Sequence, residues 1–396
     1  MQTNPESCNN LPEPDALSTA HSQRVADHIH AAIQRAGGSI SFAEFMQHAL
    51  YAPGLGYYSA GTTKLGAAGD FVTAPEISPL FGCVLARQCA MVLEQLQNGS
   101  VFELGAGSGA LAVAMLGKLA ELDALPERYL ILEVSADLKE RQQARIRRDC
   151  PQHIERVEWV ADFPAEFIGV VVANEVADAI PVERFRIEGK EILQAGVESD
   201  GRAFAWRYQK APERLGRAVR KVESDIGRPL GDGYESEVSP GLSNWISELS
   251  SSVKEGVVLL IDYGVSGREY YSPERREGWL RCHFRHHAHN DPLVLPGIQD
   301  ITCWVDFSAV AEAAAATGMT VAGYATQAHL LMEGGLEEEL ADFTSLPVAK
   351  QIELSGQVKL LTLPSEMGEN FKCIGLQRGD ILPPPALSGM DRAHLL

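Results

Sequence analysis

Apolar positions divide the chain into an N-terminal helical region and a longer region in which short apolar strands alternate with helices. Over residues 22–36, Val25, Ile29 and Ile33 recur at helical spacing, and Gly37-Gly38 ends the run. A second helix is predicted after Ser41, with Phe42, Phe45, Met46 and Leu50 on one face. A third begins near Ser78 and carries Leu80, Phe81, Val84 and Leu85 toward Leu96. Between these two helices, residues 51–70 are rich in glycine and tyrosine, the pattern of an ordered loop.

From residue 99 the periodicity shortens. Strands are predicted over 100–104, 129–133, 157–161, 169–173 and 257–262, with helices over 109–122, 136–148 and 178–184. The uninterrupted run Val170-Val171-Val172-Ala173 suits a strand buried on both faces of a parallel sheet. Such alternation predicts a doubly wound α/β fold with right-handed crossovers. An insertion over about 185–255 contains an expected hairpin (184–188 with 191–198, turning at Gly189-Lys190) and two polar helices. Residues 264–306, dense in Gly, Pro, His and Tyr, read as a long functional loop. The ends, 1–20 and 381–396, read as flexible tails around a main domain of 99–380.

One turn carries the strongest chemical signal. Val101-Phe102-Glu103-Leu104 runs into Gly105-Ala106-Gly107-Ser108-Gly109, and a helical pattern follows. Glycine permits unusual backbone angles and close approach of a ligand, and ligands of open α/β sheets bind beyond the strand carboxyl ends. Gly105, Gly107 and Ala110 also satisfy a dinucleotide fingerprint, so the glycines alone do not choose the cofactor. Glu103 favours S-adenosylmethionine: an acid there suits its cationic methionine end and would be unfavourable beside a pyrophosphate. Glu133, ending the second strand, can accept from both ribose hydroxyls. Asp162 and Phe163, after the third strand, are placed for adenine, although a helix N-cap is an equal reading of Asp162. After the fourth strand come Asn174 and Glu175, with Asp178 three residues on. Methyl transfer is a displacement governed by alignment and electrostatics. A guanidinium acceptor, cationic and delocalised, would need acids to orient it. Glu175 and Asp178 are the candidates, with Asn174 holding the loop or contacting the cofactor.

These residues are part of a longer series that resembles the MidA-like methyltransferases, a family that includes the mitochondrial complex I assembly-factor arginine methyltransferase. The matching segments are Leu50-Tyr51-Ala52-Pro53-Gly54-Leu55-Gly56-Tyr57-Tyr58, Gly69-Asp70-Phe71-Val72-Thr73-Ala74-Pro75-Glu76-Ile77-Ser78 and the glycine turn. They continue with the Asn174 to Pro181 turn, Ile261-Asp262-Tyr263-Gly264, Pro296-Gly297-Ile298-Gln299-Asp300-Ile301-Thr302 and Val305-Asp306-Phe307. The resemblance implies a class I (Rossmann-like) methyltransferase sheet with inserted helices and loops, and an N-terminal extension, 21–98, covering the cofactor. It places Asp70, Thr73, Pro75 and Glu76 at that cofactor. It also implies symmetric dimethylation of arginine on a protein partner such as a respiratory complex subunit. This chain departs from the family pattern at Val176 and Ala177 and at Cys303-Trp304, positions that bear on the acceptor. A small-molecule methyltransferase, a non-catalytic assembly factor and an NAD-dependent oxidoreductase are the alternatives. Glu103 and the absence of a Tyr-x-x-x-Lys pair disfavour the last.

Composition narrows the partners. The formal net charge of −19 over 396 residues argues against nucleic acid, whose phosphates require a basic surface. Seven scattered cysteines without a C-x-x-C pair fit a reducing compartment. The polar N-terminus lacks signal- or transit-peptide character and no apolar run is long enough to span a bilayer, so a cytoplasmic location without membrane insertion is expected. His283, His286, His287 and His289 cluster, but without metal-site spacing, and no metal is expected.

Overall fold

The computed structural model describes residues 11–60, 72–389 and 391–396. The chain divides into two compact units. The first comprises Met1–Phe71, Asp178–Asn244 and Ser266–Trp304; the second comprises Val72–Ala177, Trp245–Val265 and Val305–Leu396.

The second unit is built on a central sheet in the order Thr320–Thr326, Phe371–Arg378, Val253–Val265, Phe167–Asn174, Ser100–Leu104, Tyr129–Leu132 and Val157–Val160, with Val305–Asp306 joined to the long strand. The five strands foreseen in the sequence are mutually parallel. Phe371–Arg378 runs antiparallel to both neighbours, so the sheet is mixed. The alternating side chains Val101, Tyr129, Ile131, Val170, Val172, Val257, Leu259 and Ile261 form one buried face under Leu85, Cys89, Leu111, Met115 and Leu116 of the covering helices. Each large apolar side chain so buried contributes roughly 1.5–3 kcal/mol. Because the strands are parallel, Leu104, Leu132, Val160 and Asn174 all end at one edge, and every connection that leaves this edge is available to a ligand.

The first unit contains the helices Ala16–Arg35 and Phe42–Tyr51, a five-stranded sheet and a three-stranded sheet. Ser41 and Glu44 form a reciprocal capping box that fixes the start of the second helix. The expected hairpin is present as Glu183–Glu188 paired with Glu191–Ser199, and the two polar helices are Glu213–Asp225 and Pro240–Ser252.

Several expectations need correction. The first helix begins at Ala16, capped by Asp15, because the cap and the packing of His21 and Ser22 extend it beyond the apolar repeat. Residues 178–184 are not a helix: a short 3-10 turn, Ala177–Ala179, gives way to Pro181 and a strand, since proline blocks helical continuation. The loop 264–306 contains a three-stranded sheet, Leu280–Phe284, His287–His289 and Asp300–Cys303, and ends on the strand Val305–Asp306. Its hairpin turns at Arg285 and His286, both left-handed, without the Asn-Gly signal that usually marks such a turn. The C-terminal segment is packed, with Ala386 and Leu387 fully buried and the Ala386 amide donating to Gln88.

At the amino ends of the central strands the backbones approach closely. Gly169 has φ +144°, and a Cβ there would lie 1.9 Å from the Ser100 carbonyl oxygen. Gly169→Ala is therefore expected to cost about 3 kcal/mol or more, through forced separation of the two central strands. Urea unfolding checks this; a loss below about 1 kcal/mol would show that the strands can part without damage.

Candidate active site

The glycine turn is left-handed at alternate positions, with φ +63° at Gly105, +53° at Gly107 and +82° at Gly109. Three such residues in five are costly for any side chain bearing a Cβ. At Gly105 a Cβ would also meet Val176 Cγ2 at 3.1 Å, and at Gly109 the Gln142 backbone at 3.3 Å. The helix Ala110–Glu121 starts directly from the turn, with Gly109 at its N-cap position and its first amides facing outward from that end.

Glu103 lies beneath this turn, not on its surface. It is buried on the helix-covered face, and the Tyr129 hydroxyl donates to it at 2.7 Å. Burial pushes its carboxyl up to about 7; the Tyr129 hydrogen bond opposes that rise and the charge of Glu133 adds to it. Glu133, at the end of the neighbouring strand, accepts from the Ser135 amide at 2.9 Å and from Gln142 Nε2 at 2.8 Å. Burial raises its carboxyl as well. Asp162 is exposed and accepts from the amide of Phe163, whose ring packs edge-on to Phe102 and Trp245.

The segment after residue 71 lies against the same turn. Thr73 precedes the short helix Ala74–Ile77, which opens on Pro75. Glu76 accepts from Ser108 of the glycine turn and from Arg145 at 2.8 Å. The Ala74 amide donates to Glu175 Oε1 at 3.3 Å, so this segment joins the first and fourth strand ends. Asp70 lies outside the described residues.

Glu175 itself is left-handed, φ +54°, a conformation uncommon for a residue with a long side chain. It is held there by its amide, which donates to the Ile261 carbonyl at 2.9 Å, and by Asn174 Nδ2, which donates to its carboxylate at 3.1 Å. Asn174 Oδ1 is buried and has no hydrogen-bond partner among the described residues. The turn is fixed further along by Asp262, fully buried, which accepts from the Ala177 amide at 3.0 Å.

Asp178 belongs to the first unit, where it is buried. In that unit the Tyr58 hydroxyl donates to Asp300 at 2.8 Å, Tyr51 stacks on Tyr58, and Tyr51 donates to the Ala179 carbonyl. Burial, then the charges of Asp300 and Asp178, push the Tyr58 hydroxyl well above its ordinary range. Cys303 contacts Tyr270, while Trp304 stacks on Trp279. Among the described residues no group of three His, Cys, Asp or Glu side chains is placed to hold a metal.

The sequence reading missed Gln142, Arg145, Trp159 and the bracing role of Asp262. Gln142 and Arg145 sit in a mostly polar helix, and only the packing shows which side faces the turn.

Residues 84–325 match the protein family described as "Putative S-adenosyl-L-methionine-dependent methyltransferase". The mitochondrial protein arginine methyltransferase NDUFAF7 homolog of Drosophila melanogaster is 29% identical, over 93% of this chain and 88% of its own. The mitochondrial NDUFAF7 methyltransferase of Mus musculus is also 29% identical, over 86% and 81%. A crystal structure from Burkholderia thailandensis, bound to S-adenosyl-homocysteine, has a TM-score of 0.90 at 36% identity, covering 98% of this chain and 100% of that one. The curated relatives are mitochondrial proteins, a finding that overturns the expected cytoplasmic location.

The ionisation of Glu103 sets a pH dependence. Its folded-state value lies above the unfolded one, so the stability it contributes is full below about 4.5 and is lost as pH rises through about 7. Glu103→Gln should remove that loss. The stability of the variant relative to the parent should then climb between those values by up to about 1.4 kcal/mol per pH unit. Urea unfolding across this range checks it, and a pH-independent difference would contradict the buried protonation.

Proposed function

From the premise that this chain belongs to the S-adenosyl-L-methionine-dependent methyltransferase family, we propose that the strand-end cradle holds the cofactor and that the acceptor is an arginine of a protein. The left-handed Glu175, beside the Asn174 Oδ1 that has no partner among the described residues, carries this reading. Backbone strain and an unsatisfied buried acceptor cost stability, and both collect where a ligand is to be met. The residues fit the cofactor. The three left-handed glycines leave room for close approach, Glu133 retains acceptor capacity for ribose hydroxyls, and Asn174 Oδ1 awaits a donor. Glu76 borders the cradle through Ser108 and Ala74 through Glu175, with Thr73 and Pro75 proposed beside them on the same short segment; Asp162 and Phe163 follow the next strand end.

When bound, S-adenosylmethionine supplies a methyl group on a sulfonium centre. The chain's work is alignment. Glu175, held through Oε1 by the Ala74 amide and by Asn174, presents a carboxylate that would accept hydrogen bonds from a guanidinium. Such bonds would orient the guanidinium, and the proton that the attacking nitrogen loses on methylation would pass to the Glu175 carboxylate. Asp178 is the second acid proposed for this task. The names of the curated relatives support arginine as the acceptor. A respiratory complex subunit is the kind of partner proposed.

Glu133→Ala is expected to weaken S-adenosylmethionine binding about tenfold or more by calorimetry, through lost hydrogen bonds to a charged group. Glu175→Gln should leave that affinity within about twofold and slow transfer about a hundredfold. Parental turnover in this variant would exclude Glu175 as an orienting acid. Incubation of the protein with methyl-labelled cofactor and a mitochondrial lysate, followed by acid hydrolysis, tests the acceptor. Label in dimethylarginine is the expected result. Label confined to small solutes would indicate a small-molecule enzyme, and none at all a non-catalytic assembly factor.

A further inference from the structure

Gln142 is fully buried, and its amide contacts three separate segments of the second unit. Nε2 donates to the Gly107 carbonyl at 2.9 Å and to Glu133 Oε2 at 2.8 Å, while Oε1 accepts from Trp159 Nε1 at 2.9 Å. The orientation of the amide is chemically determined. An indole nitrogen can only donate, so the oxygen must face Trp159, and the NH2 group then meets two groups that can only accept. No other side chain of this length satisfies all three: a glutamate could not donate, and a leucine would leave each partner unpaired.

We infer that Gln142 is a positioning residue that locks the Glu133 carboxylate against the glycine turn, in the rotamer that reads the two ribose hydroxyls of the cofactor. This rests on the proposed placement of S-adenosylmethionine at that turn. Glu133 sits just past a strand end. Its Oε1 is held by the Ser135 amide, and Gln142 supplies the side-chain contact that holds Oε2. Trp159 in turn prevents the amide from rotating, so the third strand reports to the second through this one side chain. A Cβ added at Gly109 would lie 3.3 Å from Gln142 Cα, so the missing side chain lets the helix pack close to the turn. Gln142 touches no reacting atom, and its effect is on selectivity for the ribose.

The test is titration calorimetry of the full chain with S-adenosyl-homocysteine and with its 2′-deoxy counterpart. The parent is expected to favour the ribose form about tenfold or more, the worth of a hydrogen bond to a carboxylate. Gln142→Leu should reduce this preference to about threefold or less, as should Trp159→Phe, which keeps a ring in place and frees the amide. A purely structural role would lower both affinities alike and leave their ratio intact. If Glu133→Ala abolishes the preference while Gln142→Leu and Trp159→Phe retain it, the inference about Gln142 is overturned and the cofactor placement stands. If the parent shows no preference, or Glu133→Ala keeps it, the reading of Glu133 fails and the inference falls with it.

Discussion

The alternating left-handed backbone at Gly105, Gly107 and Gly109 is the constraint on which the rest of the site depends. It turns the central strand into a helix within five residues and leaves main-chain amides at the sheet edge without side chains over them. Everything nearby is arranged to hold that turn. Ser108 is tied to Glu76 and Arg145, the Gly107 carbonyl to Gln142, and Gly105 lies under Val176. A turn built of strained positions persists only where its surroundings over-determine it.

The same logic extends to the next strand end. Glu175 is held left-handed by the Ile261 carbonyl and the Ala74 amide, and Asp262 fixes the residues that follow. Two strained turns on adjacent parallel strands, Ser100–Leu104 and Phe167–Asn174, thus face the same edge. One is lined by backbone; the other presents a carboxylate and an amide oxygen without a partner among the described residues. Beneath them Glu103, with a carboxyl pushed up to about 7 by burial, is a group that can change charge near neutral pH.

The local signals in the sequence were strong where packing and periodicity agree. Val170 to Ala173 suited a doubly covered strand, and Glu103 to Gly109 a strand, turn and helix start. Phe371–Arg378 was not foreseen: its glycine and polar residues dilute the apolar pattern, and its place comes from pairing with strands distant in sequence. Leu280–Phe284 was hidden for a related reason, since Arg285-His286 lacks turn chemistry and pairing with His287–His289 and Asp300–Cys303 makes it regular. At the site, acids following apolar strands were legible because a carboxylate there has few structural reasons. Gln142 and Asp262 were not read as supports, because their value lies in contacts across chain segments that no spacing encodes. The positive φ of Glu175 is likewise a product of the assembled sheet.

The central claim is that this edge of the sheet is a methyl-donor site and not a dinucleotide site, although the glycines alone would admit either. Titration calorimetry with S-adenosylmethionine, S-adenosyl-homocysteine and NAD decides between them. The account predicts saturable binding of the first two at one site per chain and no heat from NAD. Saturable binding of NAD with none of either sulfur compound would contradict it.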